Sequence, residues 1–150
     1  MARSYHQGHY EFPYGNREKC KNANTPTYRS SWELHVMNYF SRSPKIIEWV
    51  SEFPIPYLSE VKGRMSRYYV DFIVKYRDNK GNIITELVEV KPYNQTIPVK
   101  KGKGKKSEST YIQESLTFMN NQEKWGAAQR YAEERGWRFR ILTENEIFRG

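Results

Sequence analysis

Two apolar runs near the middle of the chain carry charges at positions that alternate with valine and isoleucine, and few folds accommodate that pattern. The runs are Tyr68-Tyr69-Val70-Asp71-Phe72-Ile73-Val74 and Glu86-Leu87-Val88-Glu89-Val90-Lys91-Pro92. Between them lies Arg77-Asp78-Asn79-Lys80-Gly81-Asn82, rich in residues that tolerate left-handed turn conformations. The pattern predicts a β-hairpin. Side chains of a strand alternate between faces, so Glu89 and Lys91 share one face while Val88 and Val90 take the other. If the hairpin folds about position 80, Asp71 lies opposite Glu89, with Cβ atoms about 5 Å apart. Two carboxylates and an amine then converge in strands whose other residues are apolar. Burying such charges is costly unless they are paired or bind a ligand. A Glu-x-Lys pair alone is a weak motif, and a ladder of solvated charges on a half-exposed sheet would satisfy it equally.

Upstream, Tyr28-Arg29-Ser30-Ser31-Trp32-Glu33 leads into a helix with Ser30 or Ser31 as N-cap. Its apolar residues Trp32, Val36, Tyr39 and Phe40 recur at helical spacing. Glu33 falls in the first turn. There it can compensate the helix dipole, complete a capping box with Ser30, or serve as a third carboxylate beside Asp71 and Glu89.

The order of these residues, a glutamate on a first helix, an aspartate on a strand, Glu-x-Lys on the next strand and then a helix, resembles the PD-(D/E)xK nuclease superfamily. The finer pattern is similar to its TnsA-like branch, and within it to the head completion nucleases of T4-like tailed phages. Tyr28 to Glu33, Glu48-Trp49-Val50-Ser51-Glu52, Ile55-Pro56-Tyr57, Tyr68 to Phe72, Glu89 to Pro92, Asn121-Gln122-Glu123-Lys124-Trp125 and Leu142-Thr143-Glu144-Asn145-Glu146 carry the likeness in order, from about Tyr10 to the C-terminus. One departure is visible. Val70 stands where a proline is expected before the strand aspartate, a change that removes no ligand.

The resemblance implies a single α/β domain with a restriction-endonuclease-like core, a mixed β-sheet flanked by helices. It also implies hydrolysis of DNA phosphodiesters, with Glu33, Asp71, Glu89 and Lys91 as catalytic residues. Asp71, Glu89 and Glu33 would hold Mg²⁺ or Mn²⁺, hard cations that prefer oxygen ligands. Lys91 would orient the attacking water and stabilise the added negative charge. The expected partners are double-stranded DNA and phage head, portal or neck proteins, with no membrane and no small-molecule cofactor. The expected location is the head–tail junction of a virion assembled in the host cytoplasm, where packaged DNA would be cleaved by endonucleolytic and exonucleolytic trimming. A transposition or repair endonuclease of the TnsA type, and a non-catalytic DNA-binding neck protein, are the alternatives. The small size of the chain speaks against the first, and the presence of all four acid/base residues against the second.

Composition agrees with a nucleic-acid partner. The 150 residues suffice for one domain burying about 68–70% of its unfolded surface, and the net charge of +8 calls for an acidic partner. No apolar run approaches the roughly 18 residues of a membrane helix, and no apolar leader follows Met1-Ala2-Arg3. A soluble, unsecreted protein is expected, and the lone Cys20 excludes an internal disulfide. His6, His9, Glu11 and Cys20 match no familiar zinc-finger spacing, so an arm docked on the domain is preferred to a zinc site.

The remaining elements read as follows. Residues 1–28 form an extended N-terminal arm and residues 29–150 the nuclease-like domain. A helix is expected over 29–41, a strand region from Ile47 to Tyr57 broken by Pro54 and Pro56, and hairpin strands over 67–77 and 82–91. A helix from about Tyr111 to Arg135, with room for an interruption, stops at Gly136. A last strand, Trp137 to Leu142, closes the sheet. Lys100, Lys101, Lys103, Lys105 and Lys106 form the strongest basic cluster. Glycine-separated like charges suit a solvated tether, but this segment follows Lys91 and is read as gripping DNA phosphates. Arg29 and Lys124 are further candidates for DNA contact, with Gln122 as an alternative to Lys124 on the same helix. Trp125, Ala128 and Tyr131 fit a buried stripe.

Overall fold

The computed structural model describes residues 7–100 and 107–148. A four-stranded mixed sheet lies at its centre. Its strands are β3 (Ile46–Ser59), β4 (Arg64–Arg77), β5 (Ile83–Val90) and β6 (Arg138–Leu142), and they lie side by side in that order. β3, β4 and β5 are antiparallel, whereas β6 returns parallel to β5 after the crossover helix α2 (Glu108–Glu134). Helix α1 (Ser31–Arg42) precedes the sheet and the short α3 (Glu144–Ile147) follows it. This is the α/β architecture with a mixed sheet that the sequence implies. Among the described residues no helix is long and apolar enough to cross a membrane.

The β4–β5 turn forms as its residues dictate. The Asp78 carboxylate accepts from the backbone N–H groups of Lys80 (2.9 Å) and Asn82 (2.8 Å), and Gly81 takes the left-handed φ of 84° that closes the turn. The resulting register pairs Ile73 with Leu87 and Phe72 with Val88.

Two apolar layers flank the sheet. On one side Val36, Met37 and Phe40 of α1 pack with Trp49, Phe72, Val74, Val88 and Val90, joined by Tyr10 and Cys20 from the N-terminal segment. On the other side Trp125, Ala128 and Ala132 of α2 pack with Ile55, Tyr68, Val70 and Leu87. Burying each large apolar side chain contributes about 1.5–3 kcal/mol. One detail departs from simple alternation. Phe72 and Val74 face α1, yet Tyr68 and Val70, of the same parity on the same strand, face α2. The strand pair therefore rolls over at Asp71. On β3 the residue at that level is Glu52, held at a left-handed φ of 59°.

Several sequence expectations change. The strand region is not broken at Pro54 and Pro56, because β3 runs unbroken through both and pairs them with Tyr69 and Arg67. An edge strand allows this, since prolines two apart direct their missing N–H groups to the open side. Helix α2 is uninterrupted and starts three residues earlier than expected, at Glu108, where the Ser107 hydroxyl accepts from Thr110 N–H (3.1 Å). Gly136, with φ of 73°, follows its end as expected. In α1 the buried stripe includes Met37, while Tyr39 is half exposed. Residues 7–28 fold back on the domain. β1 (Gly8–His9) pairs with β2 (Thr27–Tyr28), Cys20 bridges to Trp49, and the buried Tyr10 donates to Asn38 Oδ1 (2.8 Å).

Candidate active site

The site is built where the β4–β5 ladder ends. Its last paired residues are Phe72 and Val88, and one step further Asp71 faces Glu89. There the strands exchange side-chain for backbone hydrogen bonds. The Val90 N–H donates to Asp71 Oδ2 (2.8 Å) and the Asp71 N–H donates to Glu89 Oε1 (3.3 Å). Tyr68 adds its hydroxyl to the same Oε1 at 2.7 Å. Each carboxylate is thus anchored through one oxygen. Among the described residues no hydrogen bond reaches the other two, Asp71 Oδ1 and Glu89 Oε2, and Glu89 Oε2 has the Lys91 ammonium 3.9 Å away. Glu89 is only 5% exposed, so its charge is almost fully withdrawn from water.

The electrostatics show what this arrangement lacks. Burial, reinforced by Glu89 and Glu33, holds the Asp71 carboxyl well above the usual carboxylate range. Burial likewise pushes Glu89 up, although Tyr68, Lys91 and the Asp71 N–H each oppose the shift. Tyr68 is in turn driven far above the ordinary phenol range by burial and by the Glu89 carboxylate, so it remains a donor. Glu33, Asp71 and Glu89 act on one another electrostatically, and although Lys91 acts on all three, with Arg29 beside Glu33 and Lys124 near Glu89, all three carboxyls stay raised, which marks a deficit of positive charge. A divalent cation fits that deficit, and the two free carboxylate oxygens are the ligand type it prefers.

Glu33 approaches from the start of α1. The Ser30 hydroxyl accepts from Glu33 N–H (3.1 Å), while Glu33 Oε1 accepts from the Arg29 N–H (3.1 Å) rather than from Ser30. The cap is therefore half of the expected box. Burial raises the Glu33 carboxyl, and its charge is felt at Asp71, Glu89 and Lys91. Arg29 also reaches across to Glu52 (2.8 Å), tying the helix start to the strained point of β3. Among the described residues no three His, Cys, Asp or Glu side chains converge as a ready-made metal group. Glu33 stands close enough to act on the pair electrostatically without closing a cage around it.

Of the other candidates, Lys124 lies by the site. Its ammonium is 5.8 Å from the centre of the Tyr68 ring and feels Lys62, Lys91 and Glu89, while burial lowers its pKa. Gln122 is exposed on the same helix. Lys100 is exposed after the loop that leaves β5, and Lys101, Lys103, Lys105 and Lys106 lie outside the described residues, as does His6. Sequence reasoning missed two residues. Tyr68 was legible only as one strand aromatic among 12 tyrosines. Glu123 was read only as part of the family pattern, yet its carboxylate accepts from Ser59 Oγ (3.1 Å) and Glu60 N–H (2.8 Å) and pins the β3–β4 turn to α2.

Comparison with known proteins bears on this geometry. A family model described as TnsA-like endonuclease N terminal matches residues 43–144, a span from just before β3 through the start of α3. The head completion nuclease of Enterobacteria phage T4 is 38% identical over 124 residues, covering 81% of this chain and 80% of that relative.

Proposed function

The chain belongs to the TnsA-like endonuclease family and is a relative of the T4 head completion nuclease, and from that premise we propose that it is a divalent-metal-dependent DNA nuclease acting in phage head completion. The observation that carries the reading is the exchange between Asp71 and Glu89. It leaves one oxygen of each carboxylate without a hydrogen bond among the described residues, that of Glu89 3.9 Å from the Lys91 ammonium, in a site short of positive charge.

Asp71 and Glu89 would hold Mg²⁺ or Mn²⁺, with Glu33 as a further ligand. When bound, such an ion makes an attacking water more acidic and offsets charge on the phosphate. This chain's residues do the rest. Lys91, its ammonium 3.9 Å from Glu89 Oε2, donates hydrogen bonds to the attacking water and to the phosphate oxygen on which charge develops. Phe72 and Val90, the chain neighbours of Asp71 and Glu89, are buried in the α1 layer and keep water from that side of the sheet. Arg29, Lys124 and the cluster Lys100, Lys101, Lys103, Lys105 and Lys106 bind backbone phosphates, which gives sequence-independent, salt-dependent affinity for double-stranded DNA. In the particle such an enzyme would trim or cleave packaged DNA at the portal, at the junction where head and tail proteins meet it.

Supercoiled plasmid incubated with the protein and Mg²⁺ or Mn²⁺ tests this. Relaxed and linear products that vanish with EDTA are expected. An intact plasmid with either ion, or cutting that survives the chelator, would overturn the proposal.

A further inference from the structure

Glu89 offers two oxygens, and the protein uses them differently. Oε1 receives the Tyr68 hydroxyl at 2.7 Å and the Asp71 N–H at a longer 3.3 Å. Oε2 receives no hydrogen bond among the described residues and lies 3.9 Å from Lys91 Nζ. The phenol is the shorter contact and acts on a charged acceptor, so it is the stronger determinant of how the carboxylate is turned. Tyr68 is itself well placed to impose an orientation. It is 4% exposed, packed in the layer that contains Val70, Trp125 and Ala128, with the Lys124 ammonium over its ring. Its side chain has few rotatable bonds, and the roll of β4 at Asp71 turns Tyr68 onto the α2 face, where its hydroxyl reaches Glu89.

We infer that Tyr68 is a positioning residue of the centre: by holding Oε1 of Glu89, its hydroxyl commits Oε2 to Lys91 and to a divalent cation. The inference rests on the metal-dependent reading above and deepens it. Without the phenol the Glu89 carboxylate would be oriented only by the longer amide contact and could turn Oε1 or Oε2 to either side. Groups that orient ligands in this way typically govern metal affinity by about 10–100-fold. A buried tyrosine that merely needs a partner for its hydroxyl would affect stability but not metal affinity.

The 150-residue chain titrated calorimetrically with MnCl₂ alone, without DNA, separates the two roles, with a melting curve recorded for each variant. Tyr68→Phe is expected to bind Mn²⁺ at least about tenfold more weakly than the parent while remaining folded. Placing 4-aminophenylalanine at position 68, which restores an N–H donor near the same place, should recover most of the affinity. If the phenylalanine variant is too unstable to titrate, 4-fluorophenylalanine fills the space of the hydroxyl without donating and takes its place. In a Glu89→Gln background, Tyr68→Phe should change Mn²⁺ affinity no further. A parent that binds Mn²⁺ together with a Tyr68→Phe variant of equal affinity overturns the role of Tyr68 alone. A parent that takes up no Mn²⁺ overturns both this inference and the metal-dependent reading beneath it.

Discussion

Replacing Asp71 by Asn removes one of two carboxylates that the hairpin register brings face to face, and its effect on stability can be worked from the geometry. Cross-strand partners hold their Cβ atoms about 5 Å apart. Two unit charges at that separation in an effective dielectric of about 20 repel by about 3 kcal/mol. Against this, the Val90 N–H, 2.8 Å from Asp71 Oδ2, exchanges a charged acceptor for a neutral one, a loss of about 1 kcal/mol. Asp71→Asn should therefore stabilise the metal-free protein by about 2 kcal/mol, or raise Tm by about 4–8 °C for a chain of this size. The pH dependence has a definite sign. Asp71, Glu89 and Glu33 all have raised folded pKa values, so the stability they allow is complete when they are protonated, below the ordinary carboxylate range, and is lost as pH rises through the folded values. The advantage of the variant should be largest near pH 8 and shrink toward pH 5. Divalent ion reverses the ranking. At a hundredfold excess over its dissociation constant it stabilises the parent by about 2.7 kcal/mol, and the variant much less. Melting curves in EDTA and in Mg²⁺ or Mn²⁺, at both pH values, test each part. A variant that melts below the parent in EDTA at pH 8 and gains as much from the ion would refute the reasoning.

Changing Lys100, Lys101, Lys103, Lys105 and Lys106 together to Ser should lower the slope of log affinity against log salt by up to about 4.5 on duplex DNA, with cleavage recovering at low salt and saturating DNA; a salt titration that leaves the slope unchanged would make the cluster a solvated tether. Glu123→Ala releases the β3–β4 turn from α2 and should cost about 1–2 kcal/mol in urea unfolding, since a charged acceptor of a hydroxyl and backbone N–H donors is lost at a partly solvated place. Unchanged stability would mean the turn holds itself.

Much of the hairpin was legible because its signals are local. Gly81 and Asp78 define the turn, and counting outward from it puts Asp71 opposite Glu89. The Ser30 cap and the Gly136 stop were likewise legible, as each acts within a few residues. The features that escaped depend on neighbours distant in sequence. Pro54 and Pro56 read as breakers until β3 is known to be the edge strand of the four-stranded sheet, bridged on its outer side by Cys20 at Trp49 and paired at both prolines with β4 alone. Strict alternation puts Tyr68 with Phe72, whereas the left-handed Glu52 and the roll of the strand pair put them in different layers. That roll gives Tyr68 its contact with Glu89, and no period in the sequence announces it. Glu33 could be placed at a helix start from its spacing to Ser30, but its preference for the Arg29 N–H over the reciprocal cap follows from three-dimensional position alone.

The central claim is that Asp71, Glu89 and Lys91 form a hydrolytic centre rather than a charged surface ladder. Lys91→Ala tests it most directly, by single-turnover cleavage of duplex DNA at low salt with saturating Mg²⁺ or Mn²⁺, and DNA affinity measured alongside. One charge among 25 lysines and arginines is a small part of the attraction for DNA, so affinity should remain near the parental value. The cleavage rate should fall by about 10²–10³ or more, as when a donor to developing charge is removed. A Lys91→Ala protein that binds DNA and cuts it at close to the parental rate would contradict the account.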